Sequence, residues 1–241
     1  MHILRCIAVI LTLALSACGG APEPTAPGSA EIEADEGLTF SDPTNIDNPF
    51  LPLSKFSLCV MEGEEEDDGE RIELRIERRL LDKTERFEVE GQPVDAVTIE
   101  DSEFEDGELV EKTLDYFAQG DDGTVYYMGE DVNDYEDGKL VGHEGEWRVG
   151  RDTETPGVLM PGDPTPGTKW RAEDVPGVTV EKDESVEILD KVKVAGVTYE
   201  QVLRVRERSS PGEMEYKLYA SGTGLIQELP EEGHLDLIRC R

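Results

Sequence analysis

Residues 70–77 read Glu70-Arg71-Ile72-Glu73-Leu74-Arg75-Ile76-Glu77. Apolar and charged side chains alternate one for one. A β-strand would put Ile72, Leu74 and Ile76 on one face and the charges on the other, whereas a helix would scatter both around its circumference. The same period-two pattern recurs in Phe56-Ser57-Leu58-Cys59-Val60, at Phe87 and Val89, and at Val97 and Ile99. Glu105-Asp106-Gly107, Asp121-Asp122-Gly123 and Glu136-Asp137-Gly138 supply the Asp-Gly pairs of tight hairpins, because glycine accepts positive φ. No window of about a dozen residues keeps a 3.6-residue period, so helix should be minor.

Further along, the pattern repeats itself. Leu81-Asp82-Lys83, then Gly91, Val94 and Val97, then Tyr116-Phe117-Ala118-Gln119-Gly120 correspond to Leu189-Asp190-Lys191, then Gly196, Val197 and Val202, then Tyr219-Ala220-Ser221-Gly222. Pro52-Leu53-Ser54-Lys55-Phe56 likewise matches Pro166-Gly167-Thr168-Lys169-Trp170. The expected fold is all-β: an antiparallel meander of about ten strands from two similar halves, forming a barrel, half-barrel or sandwich. The halves span about 50–130 and 166–229 within a β-rich domain at 40–241, with an insert at 131–165. Pairing the first strand with the last would remove free edges.

The chain has 241 residues, 56 acidic against 23 basic, and a formal net charge of −33. Nucleic acid is excluded as a partner, since a phosphate-binding surface must be basic to release counterions. With 37% hydrophobic residues there is enough apolar surface for a core only if it is gathered on one face of each strand.

The first 17 residues carry one early positive charge, Arg5, an apolar run from Ile7 to Leu15, and small residues at Ser16 and Ala17. The run is too short to span a bilayer as a helix, so 1–17 reads as a signal peptide. Leu15-Ser16-Ala17-Cys18-Gly19 resembles the lipobox of bacterial lipoproteins. That resemblance implies lipidation at Cys18 and attachment to a membrane through acyl chains, the outer membrane if the cell has two. Residues 18–39, rich in Ala, Pro, Gly, Ser and Glu, read as a flexible tether reaching roughly 60–70 Å.

Cys6 leaves with the leader and Cys18 is lipidated, which leaves Cys59 and Cys240 in an oxidising compartment. An even pair there is most often a disulfide, and this one would staple the two ends of the domain; two buried free thiols are the alternative.

Several segments resemble an uncharacterised family of secreted or lipid-anchored bacterial β-proteins: Asn48-Pro49-Phe50-Leu51-Pro52-Leu53, Tyr116-Phe117-Ala118-Gln119 followed by Asp122-Gly123, Pro156-Gly157-Val158-Leu159-Met160-Pro161, and Tyr219-Ala220 with Gly224-Leu225-Ile226. The resemblance implies a β-fold and no known activity. The chain departs from it at Ser54-Lys55, where Pro-Gly-Thr is usual, and in its two extra cysteines.

Catalytic signatures are absent. Beyond the leader the histidines are His143 and His234, neither beside a nucleophile motif, and no Gly-x-Ser-x-Gly, P-loop or His-Glu-x-x-His occurs. The reading is therefore a non-enzyme without cofactor. Calcium was weighed because oxygen ligands abound. Asn133, Asp137, Gly138 and Glu144 occupy EF-hand-like positions, but Tyr135 stands where an oxygen is required, and a hairpin explains them more simply.

Two functions remain. One is a binding or carrier module for an apolar or amphipathic small molecule, with Tyr126, Met128, Trp147 and Trp170 lining a cavity of at least about 300 Å³. The other is a structural or interaction lipoprotein whose acidic face meets an envelope protein.

Overall fold

The computed structural model describes residues 31–32, 37–67, 69–209 and 212–241. The signal peptide, Cys18 and the tether apart from 31–32 and 37–39 lie outside the described residues. In chain order the strands are β1 (Glu31–Ile32), β2 (Leu58–Asp67), β3 (Glu70–Val89), β4 (Gln92–Glu105), β5 (Glu108–Gln119), β6 (Val125–Glu136), β7 (Lys139–Gly142) and β8 (Trp147–Arg148). They continue as β9 (Gly157–Met160), β10 (Lys169–Val175), β11 (Thr179–Val194), β12 (Val197–Ser209), β13 (Glu213–Ala220), β14 (Gly224–Leu229) and β15 (Gly233–Cys240). A 3-10 turn at Leu53–Lys55 is the one helical element among the described residues.

Among the described residues, all fifteen strands belong to one sheet, ordered β1-β10-β11-β12-β13-β14-β15-β2-β3-β4-β5-β6-β7, with β8 and β9 also paired to β6. Neighbours run antiparallel except β1 and β10. The fold is all-β as the alternation requires, but the pairing of β2 with β15 does not close a barrel. Each half meanders outward from that pair, so it sits mid-sheet and edges persist at β7 and beside β10.

Four two-residue hairpins turn on Glu90-Gly91, Asp106-Gly107, Asp137-Gly138 and Ala195-Gly196, with positive φ at both residues of each. That mirror-image turn matches the right-handed twist of the strands it joins. Register breaks at Leu80/Thr84, Tyr116/Phe117, Ser185/Glu187 and Leu218/Tyr219 then bend the long ribbons.

The bent sheet curls around a single apolar cluster. Ile99, Phe117 and Tyr127 of the first half pack with Trp170, Leu203 and Tyr219 of the second. Tyr127 stacks on Phe117 with centroids 4.8 Å apart and meets the Trp147 edge at 5.2 Å. β8 and β9 carry the β6 end round toward β10, where Trp147 Nε1 donates to Glu173 Oε1 at 3.1 Å.

Ahead of β2, the segment around Asn48 caps this cluster. Asn48, 1% exposed, donates from Nδ2 to the Gly123 and Pro161 carbonyls, and its Oδ1 accepts from the Phe50 and Leu51 amides. A buried amide so fully paired fixes the segment without an orphan polar group. Cys59 and Cys240 stand directly opposite in the β2–β15 ladder and form a disulfide, with Cα atoms 4.1 Å apart.

Candidate functional site

Directly opposed residues in neighbouring strands share a face of the sheet, and the face that holds the core is not apolar throughout. In the first half Arg78 opposes Asp101, Glu103 opposes Glu111, Ile99 opposes Asp115, and Asp115 opposes Glu130. In the second half Trp170 opposes Asp183, Glu173 opposes Glu181, Asp183 opposes Glu207, Glu207 opposes Glu215, and Lys217 opposes Glu228. The inward face therefore passes from an aromatic and aliphatic floor to a belt of carboxylates in which Arg78 and Lys217 are embedded.

The carboxylates of the belt act on one another. Burial pushes Glu103 up to about 8, and Glu111, Glu228 and Asp101 push it the same way. Asp115 also rises to about 8, first through burial and then through Asp101, although Tyr127 Oη donates to it at 2.5 Å. Burial, with Asp115 and Glu173, raises Glu130. Glu130 lies near one end of the sheet and Glu173 near the other, and Trp147, which opposes Glu130 and donates to Glu173, joins the two at the seam.

The two cations are held firmly. Arg78 makes a bidentate pair with Asp101, Nη2 donating to Oδ2 at 2.6 Å and Nε to Oδ1 at 3.1 Å. Burial opposes the charge of Lys217, but Glu207 at 2.5 Å and Glu215 at 3.1 Å outweigh it and raise its pKa. Burial would raise Glu207 too, yet Lys217 brings it below the ordinary carboxylate range. Lys217 favours the anions of Glu181 and Asp183 too, and Trp170 that of Asp183, but burial together with the Glu207 charge outweighs them and pushes both well upward. Asp101, Asp115, Asp183 and Glu207 are buried, whereas Glu103, Glu111, Glu130, Glu173, Glu181, Glu215 and Glu228 are half-buried and reach water. This acidic face escapes sequence reading, because a carboxylate at an inward position looks like any solvated one.

The aromatic set behaves otherwise. Tyr126, Met128, Trp147 and Trp170 are all buried, the two tryptophans at 1% exposure, and they belong to the packed cluster. One apolar cleft of about 40 Å³, between Leu53, Phe56, Met61, Leu80, Leu225 and Leu237, contains none of them. A polar cleft of about 110 Å³ beside Thr153, Pro156 and Arg171 is touched by Trp147 alone of the four.

The EF-hand-like residues are not gathered. Asp137-Gly138 is the tip of the β6–β7 hairpin, Asn133 lies within β6, and the Glu144 amide donates to Asp134. His143 Nδ1 sits 2.6 Å from the Val132 carbonyl oxygen, and His234 lies half-buried in β15. Among the described residues, the His, Cys, Asp and Glu groups close enough to share a metal ion are Glu181, Asp183 and Glu207.

No family model matches the chain and no curated protein does, so the resemblance carried by Asn48–Leu53 and its companions stands on those motifs alone. Among solved structures, the chain is similar to a protein with a YmcC-like fold from Bacteroides fragilis, at 12% identity and a TM-score of 0.41, over 80% of this chain and 98% of that one. A likeness this loose assigns neither fold nor function.

Proposed function

We propose that the protein is a non-catalytic, extracytoplasmic interaction module, attached to a membrane through Cys18, which receives a basic polypeptide segment on the inward acidic face of its curled sheet. The carrying observation is the set of inward carboxyls lined up by the cross-strand register, Glu103, Glu111, Asp115 and Glu130 in the first half and Glu173, Glu181, Asp183, Glu207 and Glu215 in the second. Burial holds Glu103 and Asp115 protonated up to about pH 8, so an incoming Lys or Arg would bind with release of their protons. Lys217 and Arg78 already occupy this belt as internal cations, which is the chemistry an incoming Lys or Arg would reproduce. A net charge of −33 would steer such a partner at low salt. The disulfide and the leader support the compartment. The carrier reading ranks below this one, because the residues expected to line its cavity fill the core instead.

The test is titration of the full chain, in detergent, with a Lys/Arg-rich peptide at two salt concentrations. Glu103→Gln/Glu215→Gln should weaken binding by at least about tenfold. Glu88→Gln/Glu108→Gln, which removes two exposed carboxylates instead, should change it by less than about twofold. Equal losses in the two variants would reduce the effect to bulk charge and remove the proposal.

A further inference from the structure

We propose that Glu181, Asp183 and Glu207 form a binding site for a hard divalent cation of the calcium class. Their arrangement follows from the ladder. Glu181 and Asp183 alternate on β11 and so share its inward face, and Glu207 on β12 stands directly opposite Asp183. One carboxylate oxygen from each lies within 4.8 Å of the other two. Oxygens bound to calcium at about 2.3–2.6 Å cannot stand farther apart than about 5 Å, so the triad has the span of one coordination shell.

A second observation separates this triad from the acidic residues around it. Asp183 is 7% exposed, and its Oδ1 is buried without a hydrogen-bond partner. Leaving a carboxyl oxygen dry and unpaired is costly, and such an atom is satisfied by a ligand, a proton or water. The nearby ammonium does not meet the need: Lys217 is engaged by Glu207 Oε2 and by Glu215 Oε1. Without an ion, Glu207 also shares hydrogen bonds with the Glu181 and Glu215 carboxyls, and a cation at the triad would take the place of the proton that Glu181 and Glu207 share. Glu181 is half-buried and reaches water, so an entry path exists and waters can complete a shell of six to eight oxygens. The inference does not rest on the basic-partner reading, but the triad lies in the same belt, with Glu181 opposite Glu173 and Glu207 opposite Glu215, so a bound cation would weaken the binding of a basic peptide.

Trp170 supplies the experiment, because it opposes Asp183 in the β10–β11 ladder and would sensitise a lanthanide at the triad. Terbium is titrated into the full chain with excitation at the tryptophans, followed by displacement with calcium. Saturable emission that calcium displaces is expected, with at least about tenfold weaker binding in Asp183→Asn and in Glu181→Gln. The second variant changes a half-buried residue and guards against a folding failure at Asp183, and far-ultraviolet circular dichroism checks both. Trp170→Phe should lose emission while calorimetry retains the affinity. Non-saturable emission, or equal binding in these variants and in Glu88→Gln/Glu108→Gln, would overturn the site as diffuse counterion screening.

Discussion

Gly157 in β9 lies so close to Ala172 in β10 that a Cβ at 157 would stand 1.8 Å from the Ala172 carbonyl oxygen. No ladder joins these strands, and this approach of backbone to backbone, with the Trp147–Glu173 hydrogen bond, draws the two ends of the sheet together. Gly157→Ala must push β9 and β10 apart. It should cost about 2–3 kcal/mol, read from the urea midpoint, and should open the polar cleft beside Thr153 and Arg171. A Gly157→Ala chain with unchanged stability would show that the seam is slack.

Reducing the Cys59–Cys240 bond should lower stability by about 5 kcal/mol on the chain-entropy model, given a sequence separation of 181. Thermal melts with and without reductant measure it. Cys59→Ser/Cys240→Ser should match the reduced protein, because the β2–β15 ladder survives without the bond.

Lys217 is wedged between Glu207 and Glu215. Removing one member of a buried ion pair leaves the other uncompensated, so Lys217→Met should cost about 3 kcal/mol at pH 7. Adding Glu207→Gln should recover a large part of that loss. A double-mutant cycle in urea gives the coupling, and additive losses would mean that the contact is inert.

Glu103 and Asp115 make stability fall toward alkaline pH. Their carboxyl groups titrate near 8 in the folded protein, because burial disfavours the anion, and near the ordinary 4.5 and 3.8 when unfolded. The folded state thus holds protons that the unfolded chain releases. The contribution is complete below about pH 4 and is lost progressively as pH rises to about 8. Urea midpoints from pH 5 to 9 should decline, and Glu103→Gln, which cannot ionise, should flatten that decline. A flat wild-type profile would mean that these carboxyls are already ionised and hydrated at pH 5.

The β-character was legible because its signal, Ile72-Glu73-Leu74-Arg75-Ile76, is local and binary. Asp106-Gly107 and Asp137-Gly138 were legible as hairpin turns for the same reason. The length of β3 was not. It runs unbroken from Glu70 to Val89, but the irregularity at Leu80/Thr84 interrupts its alternation and makes one strand read as two. The place of Cys59 and Cys240 in the middle of the sheet, and not at a closing edge, depends on the direction in which each half winds, which no short segment encodes. The acidic belt was hidden more completely. Glu103, Glu111 and Glu207 sit among so many other carboxylates that only cross-strand register tells inward from outward.

The central place of the β2–β15 pair also bears on how the molecule is made. A chain crossing a membrane from its N-terminus delivers β2 through β6 first, and these strands assemble their own meander while the outer ladder edge of β2 stays bare. β15 arrives only after the second half has passed, so the keystone is the last piece set, and every earlier intermediate carries an open, sticky strand edge. Under the export that the leader implies, a product truncated before Gly233 would lack the strand that covers this edge of β2.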